Sequence, residues 1–266
     1  MGHAVKLLNP LSSDLDIMRM SMLYTGLEVL QYNRNRKAAD IRAYEFGKTY
    51  AKTQSGYAEQ QHLTLFITGK QQIESWHGAQ QPGTYYTIKA MVENLLKKAG
   101  VKKYETTFDA KGDLVNQTNI TAQQKPLVSF GAVDGKTRKP FDLNDEVWFA
   151  DIHWDNLCAI ALNKTLKLQA VSAFPSVRRD LALELDKKIT YAEIEKLARR
   201  TEQQLLKEMN VFDVYEGDKM AEGKKSYAIS FILQNADKTL TDEEIDGTMN
   251  KLIKTFEKEL GAGLRG

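Results

Sequence analysis

From Pro175 onward the chain switches between two periods in a fixed order, and that order admits few folds. "VRRDLALEL" (177–185) alternates residue by residue, as a half-buried strand does. A capping box follows, with Thr190 and Glu193 three residues on. It satisfies two free amide donors and opens a helix predicted to carry Ile194, Leu197, Leu205 and Met209 inward. "VFDVYE" (211–216) alternates again, Gly217 to Gly223 makes a turn, and "KSYAISFIL" (225–233) is a third strand. A second capping box, "TDEE" at 241–244, starts a helix with Ile245, Met249, Leu252, Ile253 and Phe256 on its apolar stripe. "GAGLRG" closes as a short last strand. The order β-α-β-β-α-β is a split βαβ sandwich, in which two helices cover one face of a four-stranded sheet.

Parity then says which side chains look away from those helices. In the third strand Tyr227, Ile229, Phe231 and Leu233 are the apolar set, so Ser226, Ala228 and Ser230 look outward. In the first, Leu181, Leu183 and Leu185 point in, leaving Arg178, Asp180, Ala182 and Glu184 outside. In the second, Phe212 and Val214 are expected inward, with Asp213 and Tyr215 outward. The predicted open face is a shallow patch of small residues, an acid, a tyrosine ring and an arginine. Small residues let a flat base approach the backbone, and a ring or guanidinium plane can stack on it. A carboxylate such as Asp213 can accept two N–H bonds from the Watson–Crick edge of guanine. An antiparallel sheet packed on one side has a wet polar face in any case, and this sandwich hosts many functions, so parity leaves both readings open. Arg178 and Arg179 have their own plain alternative, a surface ion pair with Asp180 or Glu216 worth about 0–1 kcal/mol. Arg179 shares the parity of the inward leucines and is expected at the sheet rim.

The preceding residues have a different texture. Leu23, Leu27 and Leu30 recur at helical spacing. "IRAYEFGKTYA" (41–51) and "HLTLFITG" (62–69) read as strands, the first aromatic on one side through Tyr44, Phe46 and Tyr50. From Gly83 the period changes to that of a helix through Tyr85, Ile88, Met91, Val92, Leu95 and Leu96, ended by Ala99-Gly100. "YETTF", "KPLVSFGAV" and "EVWFADIHW" are strand-like runs separated by turn residues. Strands joined by hairpin-length loops around a helix predict a mixed α+β unit with a mainly antiparallel sheet. "TLKLQAVSAFPS" reads as the connection, so the chain divides into residues 1–170 and 171–266.

Composition excludes several classes. Apolar content of 42% with 27% charged residues is that of a folded globular chain. No apolar run approaches the roughly 20 residues that span a bilayer. "MGHAVKLLNPLSSDLD" lacks a signal-peptide core, and Met-Gly-His-Ala reads as an expression scar. The single cysteine, Cys158, forms no intrachain disulfide and suits a reducing compartment. The four histidines, at 3, 62, 77 and 153, have no metal-ligand spacing. No P-loop, GxGxxG, zincin or nucleophile triad pattern occurs.

The C-terminal motifs "FPSVRRDLALELDKKITYAEIE", "FDVYEG", "EGKKSYAISF" and "KTLTDEEI", ending in "GLR", resemble the ferredoxin-fold anticodon-binding domain of the bacterial phenylalanine–tRNA ligase beta chain over about residues 173–265. "LLNPLSSDLDIMRMSMLYTGLEVLQYNRNRK", "IRAYEFGKTYA", "LFITGKQQIESWHG" and "VSFGAVDGKTRKPFDLNDEVWFADI" are similar to that chain's catalytic-like module. The resemblance is weakest at residues 101–126. It implies a class II synthetase-like antiparallel sheet with helices over 1–170, then a ferredoxin-like βαββαβ sandwich over 171–266. It also implies a C-terminal fragment of a longer chain, without that chain's N-terminal tRNA-binding module, its editing domain or its magnesium-ligating acidic residues.

In such a module the chemistry belongs to the alpha chain, and the residues agree. Class II chemistry needs one arginine on the ATP α-phosphate and another near the γ-phosphate in a glycine-rich segment. The first 170 residues hold only Arg19, Arg34, Arg36, Arg42 and Arg138, none in that context. The resemblance therefore implies no catalytic or metal site here, with ATP and magnesium used by the full enzyme. The implied partners are the alpha chain, in a hetero-oligomer of two alpha and two beta, and phenylalanine tRNA, in the cytoplasm; membrane and DNA are not implied. Met18, Met20, Met22 and Leu23 are candidates for an alpha-chain contact, or for core. Carried over by motif, the anticodon site is Val177, Arg178, Ala182, Asp213 and Ser226. Asp213 would read the edge of the first anticodon base, a guanine, and Ser226 would add a hydrogen bond. Val177 with Ala182 would form an apolar floor, and Arg178 would touch phosphate or stack. Lys187, Lys188, Arg199 and Arg200 read as a solvated helix flank. Residues 171–266 carry 16 Lys and Arg against 18 Asp and Glu. A domain without positive surplus binds RNA weakly on its own. The alternatives are a free-standing RNA-binding or structural module outside a synthetase, and an enzyme whose site leaves no motif.

Overall fold

The fold is built twice over, each time from an antiparallel sheet whose apolar faces dictate where helices lie. A computed structural model describes residues 4–12, 15–109, 112–163, 172–217 and 220–264. The chain separates into two compact units, Met1–Leu166 and Lys167–Gly266. The connection expected over 165–176 lies, up to residue 171, outside the described residues.

The first unit runs α1 (Leu23–Arg34), β1 (Ile41–Thr53), β2 (Gly56–Thr68), α2 (Tyr85–Lys98), β3 (Glu105–Asp109), β4 (Leu114–Ala122), β5 (Lys125–Val133), the single turn α3 (Gly135–Arg138), β6 (Val147–His153) and α4 (Trp154–Leu162). Its six strands lie in the order β1-β2-β6-β5-β4-β3, every neighbouring pair antiparallel. Both faces of the central strands are apolar and both are covered. On one side Leu23, Leu27 and Leu30 of α1 pack with Phe66, Val147 and Phe149. On the other, Ile88, Val92 and Leu96 of α2 and Leu157 and Ile160 of α4 pack with Leu63, Ile67, Trp148 and Ile152. Odd and even positions of β2 and β6 thus serve opposite layers, as period-two side chains must. Helix α1 lies close to the sheet because Gly26 has no side chain: a Cβ there would sit 2.0 Å from Phe66 Cζ.

Besides the single turn α3, two elements of this unit have no counterpart in the sequence reading. Strand β4, "LVNQTNITA", is mostly polar and its pairing with β5 shifts register twice, with Asn116 in the left-handed region at φ 52°. Helix α4 follows β6 directly, with His153 as its N-cap and no turn residue between.

The second unit runs β7 (Val177–Asp186), α5 (Tyr191–Thr201), β8 (Leu206–Tyr215), β9 (Lys224–Leu233), α6 (Asp242–Leu260) and β10 (Gly263–Leu264). The sheet order is β10-β7-β9-β8, all antiparallel. The observed architecture is therefore α+β throughout, an antiparallel sheet with helices followed by a βαββαβ sandwich. Both capping boxes form: Thr190 accepts from the Glu193 amide and Thr241 from the Glu244 amide, and each glutamate reaches back. Leu183, Leu185, Ile229, Phe231 and Leu233 make a core with Ile194 and Leu197 of α5 and Leu252 and Phe256 of α6. The first helix is shorter than its apolar spacing suggested. It stops at Thr201, and Leu205 and Met209 belong to the run into β8, where Met209 opposes Phe231. Among the described residues no helix is long and apolar enough to cross a membrane.

Candidate nucleic-acid interface

Cross-strand register assigns each side chain of the second sheet to a face, because directly paired residues share one. The helix-side rows read Val177–Leu233–Leu206, Arg179–Phe231–Met209, Leu181–Ile229–Val211 and Leu183–Tyr227–Val214 across β7, β9 and β8. The rows of the other face read Arg178–Ile232–Glu208, Asp180–Ser230–Asn210, Ala182–Ala228–Asp213 and Glu184–Ser226–Tyr215. Ala182, Ala228 and Asp213 thus form one row, two methyl groups leading to a carboxylate on the edge strand. Asp213 is exposed and makes no hydrogen bond or ion pair among the described residues. Arg178 stands on the same face two rows away, its guanidinium held by both oxygens of Asp180 at 2.8 and 3.1 Å. Those bonds raise the Arg178 pKa further.

Two of the motif-matched residues sit differently. Val177 pairs with Leu233 and packs against the helix-side core, so it shares no face with Ala182 and cannot complete a floor there. Its odd parity, shared with Leu181 and Leu183, already carried that signal. Ser226 is on the predicted face but only 5% exposed. Arg179 occupies a helix-side row at the strand end, its guanidinium 3.9 Å from Asp242 and bonded to the Arg178 carbonyl. Lys187, Arg199 and Arg200 form ion pairs with Glu216, Glu195 and Glu259.

One residue of this face escaped parity altogether. The pairing of β8 with β9 slips between Val211 and Asp213, so Phe212 is an extra residue in a bulge. Instead of entering the core it is 51% exposed, with the Arg178 guanidinium carbon 5.3 Å from its ring centroid. Val214 keeps its helix-side row but is 50% exposed.

In the first unit the five arginines are all committed within the fold. Arg19 pairs with Glu45 at 2.8 Å and donates to the Lys48 carbonyl. Arg34 pairs with Asp145 at 3.2 Å. Arg36 lies 3.4 Å above the Tyr32 ring. Arg42 and Arg138 donate to the carbonyls of Gln71 and Asp145. A polar chain crosses the sheet where Thr49 Oγ1 is 2.9 Å from His62 Nε2 and His62 Nδ1 is 2.7 Å from Asp151. His153 lies beside His62, ring centroids 5.2 Å apart and planes tilted by 49°, and burial pushes its pKa down. Of the candidate contact residues, Met22 and Leu23 are core, Met18 is half-buried and Met20 is 49% exposed.

Comparison with known proteins adds the family. Residues 1–154 match the family described as phenylalanyl tRNA synthetase beta chain CLM domain, and residues 172–265 match the ferredoxin-fold anticodon binding domain. A phenylalanine–tRNA ligase beta subunit of Bacteroides fragilis is 44% identical over 99% of this chain and 34% of its own length. The corresponding subunits of Porphyromonas gingivalis and Bacillus licheniformis are 40% and 32% identical over 98% and 97% of this chain. The chain spans about a third of the length of these relatives. A pyrrolysyl-tRNA synthetase structure from Desulfitobacterium hafniense superposes with TM-score 0.46 and 16% identity, covering 59% of this chain and 53% of its own.

Proposed function

Because the chain belongs to the phenylalanyl-tRNA synthetase beta-chain family, we propose that it is part of a phenylalanine–tRNA ligase, the enzyme that joins phenylalanine to its tRNA with ATP. Residues 1–170 pack on the catalytic alpha chain and carry no active site of their own. Residues 171–266 bind the anticodon loop. The assembly is a cytoplasmic hetero-oligomer of two alpha and two beta chains, and ATP and magnesium act at the alpha chain.

The observation that carries the anticodon reading is the row Ala182–Ala228–Asp213, with its free carboxylate and its flat, methyl-lined approach. Two alanines let a purine lie against the strands, and Asp213 accepts the two N–H groups that guanine presents on one edge. Ser226 lies in the next row, nearly buried, and reaches a base only after its surroundings move. Arg178 stands where it can stack on a base or meet a phosphate. Support for an empty first unit comes from its arginines, each already engaged by a carboxylate, a carbonyl or a ring.

Co-expression with the alpha chain tests this reading. The two chains should co-purify, the complex should protect the anticodon loop of phenylalanine tRNA from cleavage, and the chain alone should show no ATP–pyrophosphate exchange. Exchange by the isolated chain, or a complex leaving the loop open to cleavage, contradicts it.

A further inference from the structure

Phe212 is a large, half-exposed aromatic side chain that the second sheet presents on its open face, and the strand pairing shows how it comes to stand there. Val211 pairs with Ile229 on the helix side, so simple alternation sends Phe212 to the open face, and the extra residue of the bulge brings Asp213 to that face as well. The ring stands 51% exposed beside the Ala182–Ala228–Asp213 row, and the guanidinium of Arg178 reaches across the sheet to within 5.3 Å of its centroid. That guanidinium is not free to wander, because both of its bonds to Asp180 fix its plane. A pinned cation and an exposed ring together make a rigid pair of flat groups, the arrangement that stacks bases without regard to their identity.

We infer that Phe212, with Arg178 beside it, is a stacking platform for the base next to the one read by Asp213. This rests on the anticodon reading above and assigns the site a second, sequence-tolerant subsite. Edge recognition and stacking are then divided between adjacent residues of one bulge, 212 and 213, which is what an extra residue in the strand makes possible.

The test places 2-aminopurine on either side of the guanine in an anticodon stem–loop and titrates it with the full chain at low ionic strength. Phe212→Leu keeps apolar bulk and removes the ring; Phe212→Trp keeps a stacking surface. The parent should quench the neighbouring 2-aminopurine. Phe212→Leu should lose the quenching and about tenfold or more in affinity, and Phe212→Trp should retain both. Guanine preference should survive in Phe212→Leu and vanish in Asp213→Ala. Should Phe212→Leu fail to fold by circular dichroism, Phe212→Trp together with Arg178→Gln carries the same comparison. Unchanged affinity and quenching in Phe212→Leu, with Asp213→Ala still losing its preference, overturns the platform and leaves the anticodon reading standing. A parent chain that binds no stem–loop at all overturns both.

Discussion

In the proposed site Asp213 and Ala182 act through what they lack: the Asp213 carboxylate has no partner among the described residues, and Ala182 has almost no side chain. A lost bidentate base contact costs about 1–3 kcal/mol, so Asp213→Ala should weaken binding of a guanine-containing loop by that amount. Loops with another base at that position should bind equally well to both proteins, which competition titration with four loop variants would show. His153 supports a different residue-scale prediction. Burial, aided by His62 and opposed by Asp151, holds its pKa below the ordinary 6.5. The neutral ring is therefore favoured in the fold, while the unfolded chain takes up a proton near 6.5. Stability should fall as pH drops below about 6.5, and His153→Phe should flatten that dependence in urea melts at pH 7.5 and 5.5. An identical pH profile in the variant would remove His153 from the role. Residue identities alone placed Ala182, Asp213 and Arg178 on one face correctly. Phe212 was misread because "FDVY" alternates on its own, and a bulge that carries no glycine is visible only in the pairing.

Among the elements, strict period two made β7 and β9 legible, and two capping boxes made the starts of α5 and α6 legible. Boundaries failed where apolar spacing fitted both periods, as when Leu205 lies four residues beyond Thr201 and yet belongs to the path into β8. Strand β4 was hidden by its asparagines, glutamine and threonines and by two register slips, α4 by following β6 without punctuation. Packing between elements is tightest where α1 crosses β2 at Gly26. A methyl group there meets the Phe66 ring, which is itself buried against Phe149 at 4.9 Å between centroids. Gly26→Ala improves helix propensity yet should destabilise the chain by about 1–3 kcal/mol, because overpacking outweighs the gain of roughly 1 kcal/mol. Thermal melts decide it, and a raised melting temperature would mean that α1 can slide away freely.

At the scale of the whole molecule, charge and shape point in different directions. Residues 171–266 have slightly more acid than base, so phosphate neutralisation contributes little, and affinity must come from the chemistry of one sheet face. The first unit contributes helices on both sides of its sheet and arginines bound into its own fold. The central claim is that the uncovered face of the β7–β9–β8 sheet receives the anticodon loop. Methyl NMR of the chain titrated with a phenylalanine anticodon stem–loop tests it most directly, because the Ala182 and Ala228 methyls mark one face and the Leu183 and Ile229 methyls the other. The account predicts shifts at Ala182 and Ala228, weakened when the guanine is replaced, with Leu183 and Ile229 unmoved. Shifts confined to the helix side, or unaltered by replacing the guanine, would contradict it.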